Sequence, residues 1–376
     1  MHALELHQHL IGRQGSRRSL NTPALILDEG ALERNIAAMA GFAMARKVAL
    51  RPHSKTHKSV EIARRQIAAG AVGVCCAKLG EAEAMADGGI DNLLITSPVV
   101  GGSAVARLVS LAAWVPGLLS VVDHPDAVDA LAATGARLSL LVDIDPGIHR
   151  TGVAGPDEAL ALAHRINASP NLTFAGVQFY CGMQQHIEGF ADRHAAIVER
   201  TAYLSGIIAR LTATGLKPDI VTGGGTGTHA IDAALGAFTE LQVGSYVFMD
   251  RQYKACDLTG DGAADFETAL MVDARVISAN HAFLSTVDAG FKAFATEAGA
   301  PPILTGAPDG AVYHFMGDEQ GCVVPPAGMA PPRLGDVVTF QTPHCDPTVN
   351  LYDVYHVVDG DTLVAIWPIE GRGRSA

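Results

Sequence analysis

Lys55 sits in the run His53-Ser-Lys55-Thr-His57-Lys58, which holds two histidines and two lysines within six residues. A lysine amine that sheds its proton on partial burial can capture a carbonyl. A solvated basic loop would have the same composition. Far along the chain, Pro343-His344-Cys345-Asp346-Pro347-Thr348 places an imidazole and a carboxylate two positions apart. On an extended segment those two side chains point the same way and Cys345 points the other. An imidazole with a carboxylate suits Mn²⁺, Mg²⁺, Zn²⁺ or Co²⁺. The competing reading is a turn capped by Asp346. A third stretch, Gly223-Gly-Gly-Thr-Gly-Thr228, carries Gly224, Gly225 and Thr226, and Val243-Gly244-Ser245-Tyr246 follows it. Backbone N–H groups that only glycine lets approach closely can cradle a phosphate, although a flexible loop reads alike. Arg150, in Asp143-Ile-Asp145-Pro-Gly147-Ile-His-Arg150, either reaches an anionic oxygen or pairs with Asp143 or Asp145. In Gln178-Phe-Tyr180-Cys-Gly-Met-Gln-Gln-His186, Tyr180 can pack on a cofactor ring and His186 can serve as a base. A lone histidine is as readily a satisfied surface or core residue.

These residues need elements to hold them. Val48-Ala-Leu50 reads as a buried strand that stops at Arg51-Pro52, because proline cannot donate to a sheet ladder. Val60 to Gly70 repeats apolar residues at helical spacing, so Lys55 falls on a strand-to-helix connection. The same alternation recurs. Strands are expected over 48–53, 73–78, 92–97, 118–123, 138–144, 174–180, 219–222 and 240–246, with helical stretches such as 81–88, 127–134, 159–168 and 193–212 between them. Near-continuous apolar strands alternating with helices imply a parallel sheet, and eight repeats suggest a (β/α)₈ barrel over a doubly wound sheet. On a barrel, Lys55 follows strand one and the two glycine loops follow strands seven and eight. A lysine and a phosphate cradle on one barrel face describe a site for pyridoxal 5′-phosphate (PLP).

Residues 1–22 read as a loose arm, 23–28 as a short strand and 29–45 as an amphipathic helix. Past Asp250 the helical period fades into short β-branched runs over 269–277, 282–288, 337–341, 352–358 and 362–367, punctuated by Pro301-Pro302, Pro325-Pro326 and Pro331-Pro332. The expected division is a PLP-binding barrel over 28–252 and a mostly antiparallel β domain from 1–27 and 253–376. The chain has 376 residues, 48% of them hydrophobic, and a net charge of −12 without a basic stripe, which argues against nucleic-acid binding. The longest nearly uncharged run, 108–122, is too short to span a bilayer, and the N-terminus has no apolar signal core. Cys75, Cys76, Cys181, Cys256, Cys322 and Cys345 form no CxxC pair or disulfide spacing. The expectation is a cytoplasmic protein without a membrane partner.

Taken together, Arg51-Pro-His-Ser-Lys-Thr-His-Lys58, Gly73-Val-Cys-Cys-Ala-Lys78, Thr222-Gly-Gly-Gly-Thr-Gly227, Glu240 to Asp250, Val287-Asp-Ala-Gly290 and His344-Cys-Asp-Pro-Thr348 carry a resemblance. From Thr22 to Trp367 the chain resembles the D-threonine aldolase group of fold-type III PLP enzymes, whose relatives include 3-hydroxy-D-aspartate aldolase and the eukaryotic-type D-serine dehydratase. The resemblance implies an alanine-racemase-like barrel plus β domain, and a homodimer with each site near the subunit boundary. It implies Lys55 as the Schiff-base lysine, Arg150 and Tyr180 beside the cofactor, and His186 as the base. It implies His344 and Asp346 as ligands of a divalent ion, Mn²⁺ or Mg²⁺ before Co²⁺ or Zn²⁺. The reaction implied is retro-aldol cleavage of a D-β-hydroxy-α-amino acid to glycine and an aldehyde. The alternatives are 3-hydroxy-D-aspartate cleavage, or D-serine or D-hydroxyaspartate dehydration on the same scaffold. The His-x-Asp pair looks like the aldolases, since the D-serine dehydratases tend to carry His-x-Cys. A non-catalytic PLP carrier would be essentially barrel alone. Two departures stand out: Gln320 where relatives commonly have histidine, and Thr96-Ser97-Pro98 where the aldolases usually have Asn-Glu.

Overall fold

The chain begins in one sheet, leaves it to build a barrel, and returns. The computed structural model describes residues 3–262 and 266–376. Met1 and His2 of the expected arm, and 263–265 of the expected second domain, lie outside the described residues. The first strand, β1 (Ala24–Asp28), pairs antiparallel with β10 (Leu270–His281) and parallel with β16 (Val354–Asp359). The described residues from α1 to α9, between β1 and β10, build the barrel.

Its eight parallel strands are β2 (Ala49–Leu50), β3 (Val74–Cys76), β4 (Leu93–Ile95), β5 (Leu119–Val122), β6 (Leu138–Asp143), β7 (Leu172–Phe179), β8 (Ile220–Gly223) and β9 (Glu240–Leu241). They lie side by side from β2 through β9 and back round to β3. The ring closes where His53 bridges Cys75, with Ser54 N–H donating to Cys75 O at 2.7 Å and Cys75 N–H to Pro52 O at 2.8 Å. Cys75, Leu94, Leu119, Val121 and Leu141 fill the interior. The base carries a bidentate ion pair from Arg51 Nε and Nη2 to Glu240, at 2.8 and 3.0 Å, across the β2–β9 seam. An Arg fork matches a carboxylate in that way, so the pair fixes register as well as charge.

The helices α1 (Glu29–Arg46), α2 (Val60–Ala68), α3 (Leu79–Asp87), α4 (Gly102–Ala112), α5 (Pro125–Ala132), α6 (Pro156–Asn167), α7 (Phe190–Ala213), α8 (His229–Leu235) and the short α9 (Arg251–Lys254) follow the strands in turn. Three of them, α4, α8 and α9, have no counterpart among the helical stretches expected from the sequence. α4 opens on glycines and buries only Val105, Leu108 and Leu111, and α8 is seven residues long behind the glycine loop. Among the described residues, no helix is long and apolar enough to cross a membrane.

Among the described residues the second sheet has nine strands. Besides β1, β10 and β16 it contains β11 (Leu284–Val287), β12 (Ile303–Thr305), β13 (Val312–Phe315), β14 (Gly321–Val324), β15 (Val337–Gln341) and β17 (Thr362–Pro368), joined mostly antiparallel. Strands β12, β13 and β14 were also not foreseen. Their residues are largely exposed or part-exposed on β12 and β13, so no clean alternation marks them. Between β15 and β16 a short helix, α10 (Cys345–Val349), interrupts the sheet.

The N-terminal arm is not loose. Gly12 N–H donates to Leu363 O at 2.8 Å, and Arg17 grips Asp273 with two bonds of 2.8 and 2.9 Å. Asn21 N–H donates to His7 Nε2 at 3.0 Å, which leaves Nδ1 of a neutral His7 to donate to His356 Nε2 at 2.9 Å. Burial and then the neighbouring histidine push His356 down to about 4, and His7 is also lowered. An unfolded histidine titrates near 6.5. Between about 4 and 6.5 the unfolded chain therefore binds more protons than the folded one, and stability falls as pH drops through that window. Unfolding free energies from urea titrations at pH 7.5 and 5 should differ by roughly 1–3 kcal/mol, a span set by the linkage of one such shift. The difference should shrink in His356→Gln. Equal slopes in both proteins would remove the pair from this role.

Candidate active site

The C-terminal end of the barrel opens into a cavity of about 890 Å³. Lys55, Arg150, Tyr180, His186, Gly225, Thr226, Gly244, Ser245, His344 and Asp346 all line it. Two residues singled out in the sequence stand behind the wall. Tyr246 is fully buried with its hydroxyl accepting from Gln66 Nε2 at 3.0 Å. A Cβ on Gly224 would run into Asp232 and Leu241.

Lys55 is placed by a tight turn. His57 and Lys58 N–H groups both return to Ser54 O. The second sheet and the segment after β17 then clamp that turn from outside: Tyr355 Oη–H donates to His57 O at 2.6 Å and Gly371 N–H to Lys58 O at 2.9 Å. Lys58 pairs with the buried Glu81. Lys55 thereby points its amine into the cavity, 2.5 Å from Asp346 Oδ2. Burial would lower the amine, but Asp346 outweighs it and the net direction is up. The carboxyl of Asp346, pushed up by burial, is held well below the usual range by Lys55 and His344.

His344 and Asp346 do not lie on an extended segment. His344 is extended and caps α10, and Asp346 sits in its first turn. Both still face the cavity, because the capping residue and the first turn turn their side chains toward Lys55. His344 Nδ1 meets Glu297 Oε1 at 2.7 Å, which leaves Nε2 as the nitrogen for an ion. Asp250 secures the segment: Oδ2 accepts from Cys345 N–H at 2.8 Å, and Oδ1 accepts from Tyr253 N–H at 3.1 Å. The Tyr253 ring lies 4.5 Å from that of His186. Burial, with His344 nearby, lowers His186 against the pull of Asp250 and favours a neutral imidazole.

Arg150 does not pair with either nearby aspartate. Asp145 accepts from the N–H groups of Gly147, Ile148 and His149 at 2.9, 2.9 and 3.0 Å. Asp143 accepts from Gln178 Nε2 at 2.9 Å, and burial raises it to about 6. Arg150 lies instead 5.6 Å over the Tyr180 ring, at the cavity. A polar ladder floors the site: Gln242 Nε2 bonds Gln178 Oε1 at 3.2 Å and Thr222 Oγ1 at 3.1 Å. Gln178, Gln242, Asp250, Tyr253 and Glu297 were not singled out in the sequence. Position was the available signal for the glutamines, since Gln178 is the next-to-last residue of β7 and Gln242 directly follows β9, both at the C-terminal ends of barrel strands.

The two glycine loops meet at the cavity wall. A Cβ on Gly244 would lie 2.6 Å from Thr56 Oγ1, and one on Gly225 2.5 Å from Gln185 Oε1. Bare backbone is all that fits there, as an anion cradle requires. Tyr246 N–H donates to Thr226 Oγ1 at 3.0 Å and ties the loops together. An amine at one side of a cavity and this cradle at another fit PLP. Among the described residues no cluster of three or more His, Cys, Asp or Glu is arranged for a metal. His344 and Asp346 are a two-ligand donor set, which fits a hard ion that keeps its remaining waters.

The alanine racemase N-terminal domain matches residues 27–252, and a putative serine dehydratase domain matches 269–358. A D-threonine aldolase from Arthrobacter is 40% identical over 95% of this chain and 94% of its own. A 3-hydroxy-D-aspartate aldolase from Paracoccus denitrificans is 37% identical over 94% and 93%. The crystal structure of D-threonine aldolase from Filomicrobium marinum superposes with a TM-score of 0.91 at 39% identity, covering 95% of this chain and 97% of the other.

Proposed function

We propose a substrate and a mechanism for a chain that belongs to the D-threonine aldolase and 3-hydroxy-D-aspartate aldolase family, on the alanine-racemase-like barrel. It is an aldehyde-lyase that uses PLP, and its reaction is retro-aldol cleavage of a D-β-hydroxy-α-amino acid of the D-threonine type. One observation carries the reading: Lys55 and Asp346 touch at 2.5 Å in the cavity that His186 and His344 also line. The amine that holds the cofactor and the pair that would hold a divalent ion, Mn²⁺ or Mg²⁺, thus address one substrate.

Bound PLP supplies an electron sink for the Cα–Cβ bond pair, and an ion on His344 and Asp346 would supply Lewis acidity at the β-hydroxyl. The chain's own residues do the rest. Lys55 would hold the cofactor through its amine. The glycine loops and Ser245 would seat its phosphate. Tyr180 and Arg150 fix the ring side of the cavity. His186, kept neutral by burial, takes the β-hydroxyl proton. The C–O bond becomes C=O as the Cα–Cβ pair moves to Cα, and the aldehyde leaves. A proton returns to Cα and glycine follows.

The surroundings of the ion pair favour a small or apolar β-substituent. Beside His344 and Asp346 stand two more carboxylates, Glu297 and Asp250, where a substrate carboxylate would be repelled. One observation favours 3-hydroxy-D-aspartate instead: Lys78 is exposed at the cavity rim and stands in no ion pair among the described residues. A product assay with PLP and Mn²⁺ on D-threonine and D-3-hydroxyaspartate decides the matter. Glycine and an aldehyde, faster from D-threonine and lost on chelation, is the expected result. Ammonia and a keto acid without glycine would make the chain a dehydratase. A homodimer belongs to the same reading, and light scattering on the eluted protein checks it.

His186→Asn should lower kcat by about 10²–10⁴-fold, the range for a positioned base. The PLP absorbance of the purified variant should match that of the parent. A loss under tenfold would move the base elsewhere.

A further inference from the structure

We propose that Gln185 is a positioning residue that locks the phosphate cradle to the loop carrying His186. The proposal rests on the reading of the 223–228 loop as the cradle. Gln185 follows the single turn Gly182–Gln184, is fully buried, and precedes His186 directly. Its side chain spans the gap between the two loops. Oε1 accepts from Gly227 N–H at 3.0 Å, while Nε2 donates to Thr228 Oγ1 at 2.9 Å and to Cys181 O at 3.2 Å.

Donor and acceptor accounting fixes the direction of the amide. Thr228 Oγ1 spends its hydrogen on Asp232 Oδ2 at 2.6 Å and has only lone pairs left, which receive Gln185 Nε2–H and Gly225 N–H. A flipped amide would set Nε2 against the Gly227 donor and Oε1 against two acceptors. The fit is also steric. A Cβ on Gly227 would fall 2.0 Å from Gln185 O, and one on Gly225 2.5 Å from Oε1. The cradle is therefore moulded on Gln185 from behind, away from the ligand. His186, one peptide bond on, turns its ring to Tyr253 at the cavity. A cradle that shifts takes His186 with it.

The test compares full-length wild type, Gln185→Glu and Gln185→Met, freed of cofactor. Each is titrated with PLP and with pyridoxal, which has the aldehyde but not the phosphate. Imine absorbance reports the dissociation constants. Glutamate keeps the Gly227 contact but opposes Thr228 Oγ1 with a second acceptor and adds charge behind the phosphate. Methionine keeps the volume and removes every bond. Losing bonds of this kind while stranding buried partners should weaken PLP about 10- to 100-fold. Pyridoxal affinity should stay within about threefold, since no phosphate reads the cradle. Equal losses for both ligands, or no loss in either variant, would overturn the proposal. If wild type binds pyridoxal as tightly as PLP, the cradle reading itself falls. If wild type prefers PLP and both variants keep that preference, only the role of Gln185 falls.

Discussion

Lys55→Ala is expected to lower kcat/KM by at least about 10⁴-fold, the scale on which one member of a covalent catalytic unit is missed. Borohydride should then trap no pyridoxyl group on the variant. Lys55 combines the two features the chemistry needs. Its amine stands at the junction between β2 and α2, where the turn to Ser54 O and the bonds from Tyr355 and Gly371 hold the backbone. Its head faces the loops that would seat the phosphate. Lys78 lies on the same cavity, but at the exposed N-cap of α3. Lys55→Arg sharpens the test. The guanidinium can still pair with Asp346, yet it does not deprotonate in proteins and cannot capture an aldehyde. Both variants should thus lose the trapped adduct, and only the alanine should also lose the contact with Asp346. Peptide mapping of reduced wild type that places the adduct on Lys78, or activity of Lys55→Ala within tenfold, would sink the assignment.

The second large effect concerns the ion pair of ligands. His344→Ala should cost about 10³-fold in cleavage, because Lewis-acid assistance is worth several kcal/mol and each 1.36 kcal/mol is tenfold. Mn²⁺ affinity, read by electron paramagnetic resonance, should weaken in the same variant, while PLP absorbance stays. Chelation of wild type should produce a similar loss, and chelation of His344→Ala little more, since the two changes remove one contribution. Asp346→Ala should behave differently. It deletes an ion ligand and also the carboxylate that, alone among the described residues, pairs with Lys55, so both cofactors should be affected. Glu297→Gln is a milder version: it removes the carboxylate that orients His344 through Nδ1, and metal affinity should fall by about 10-fold or more. An enzyme that keeps its rate in EDTA, with metal-free protein confirmed, would end the metal-assisted reading.

Much of the barrel was legible because its strands are buried on both faces. Runs such as Leu138–Asp143 and Leu119–Val122 are near-continuous apolar residues, and helices separate them at regular intervals. The second sheet was less legible. Strand β12 buries little and β13 mainly Tyr313, so neither shows an alternating pattern. The arm was misread as loose because what pins it lies far off in sequence: His7 meets His356 and Arg17 meets Asp273. Likewise α10, five residues long with Pro347 inside it, resembles a turn in sequence and is a helix in the fold.

The amino-acid sequence by itself determined the residue types and their local settings: a lysine past a strand end, glycines where backbone must be bare, an imidazole and a carboxylate two apart. Burial periodicity is a local property, and it places each group on its element. What only the tertiary structure decided is which groups meet. Lys55 and Asp346 are 291 positions apart and touch. Glu297 reaches His344, Asp250 reaches Cys345, and Gln185 reaches the glycine loop across distances no repeat spans. Such pairings come from closing the barrel and returning the chain to the sheet that β1 began. They depend on packing of whole elements, which no short window of sequence contains.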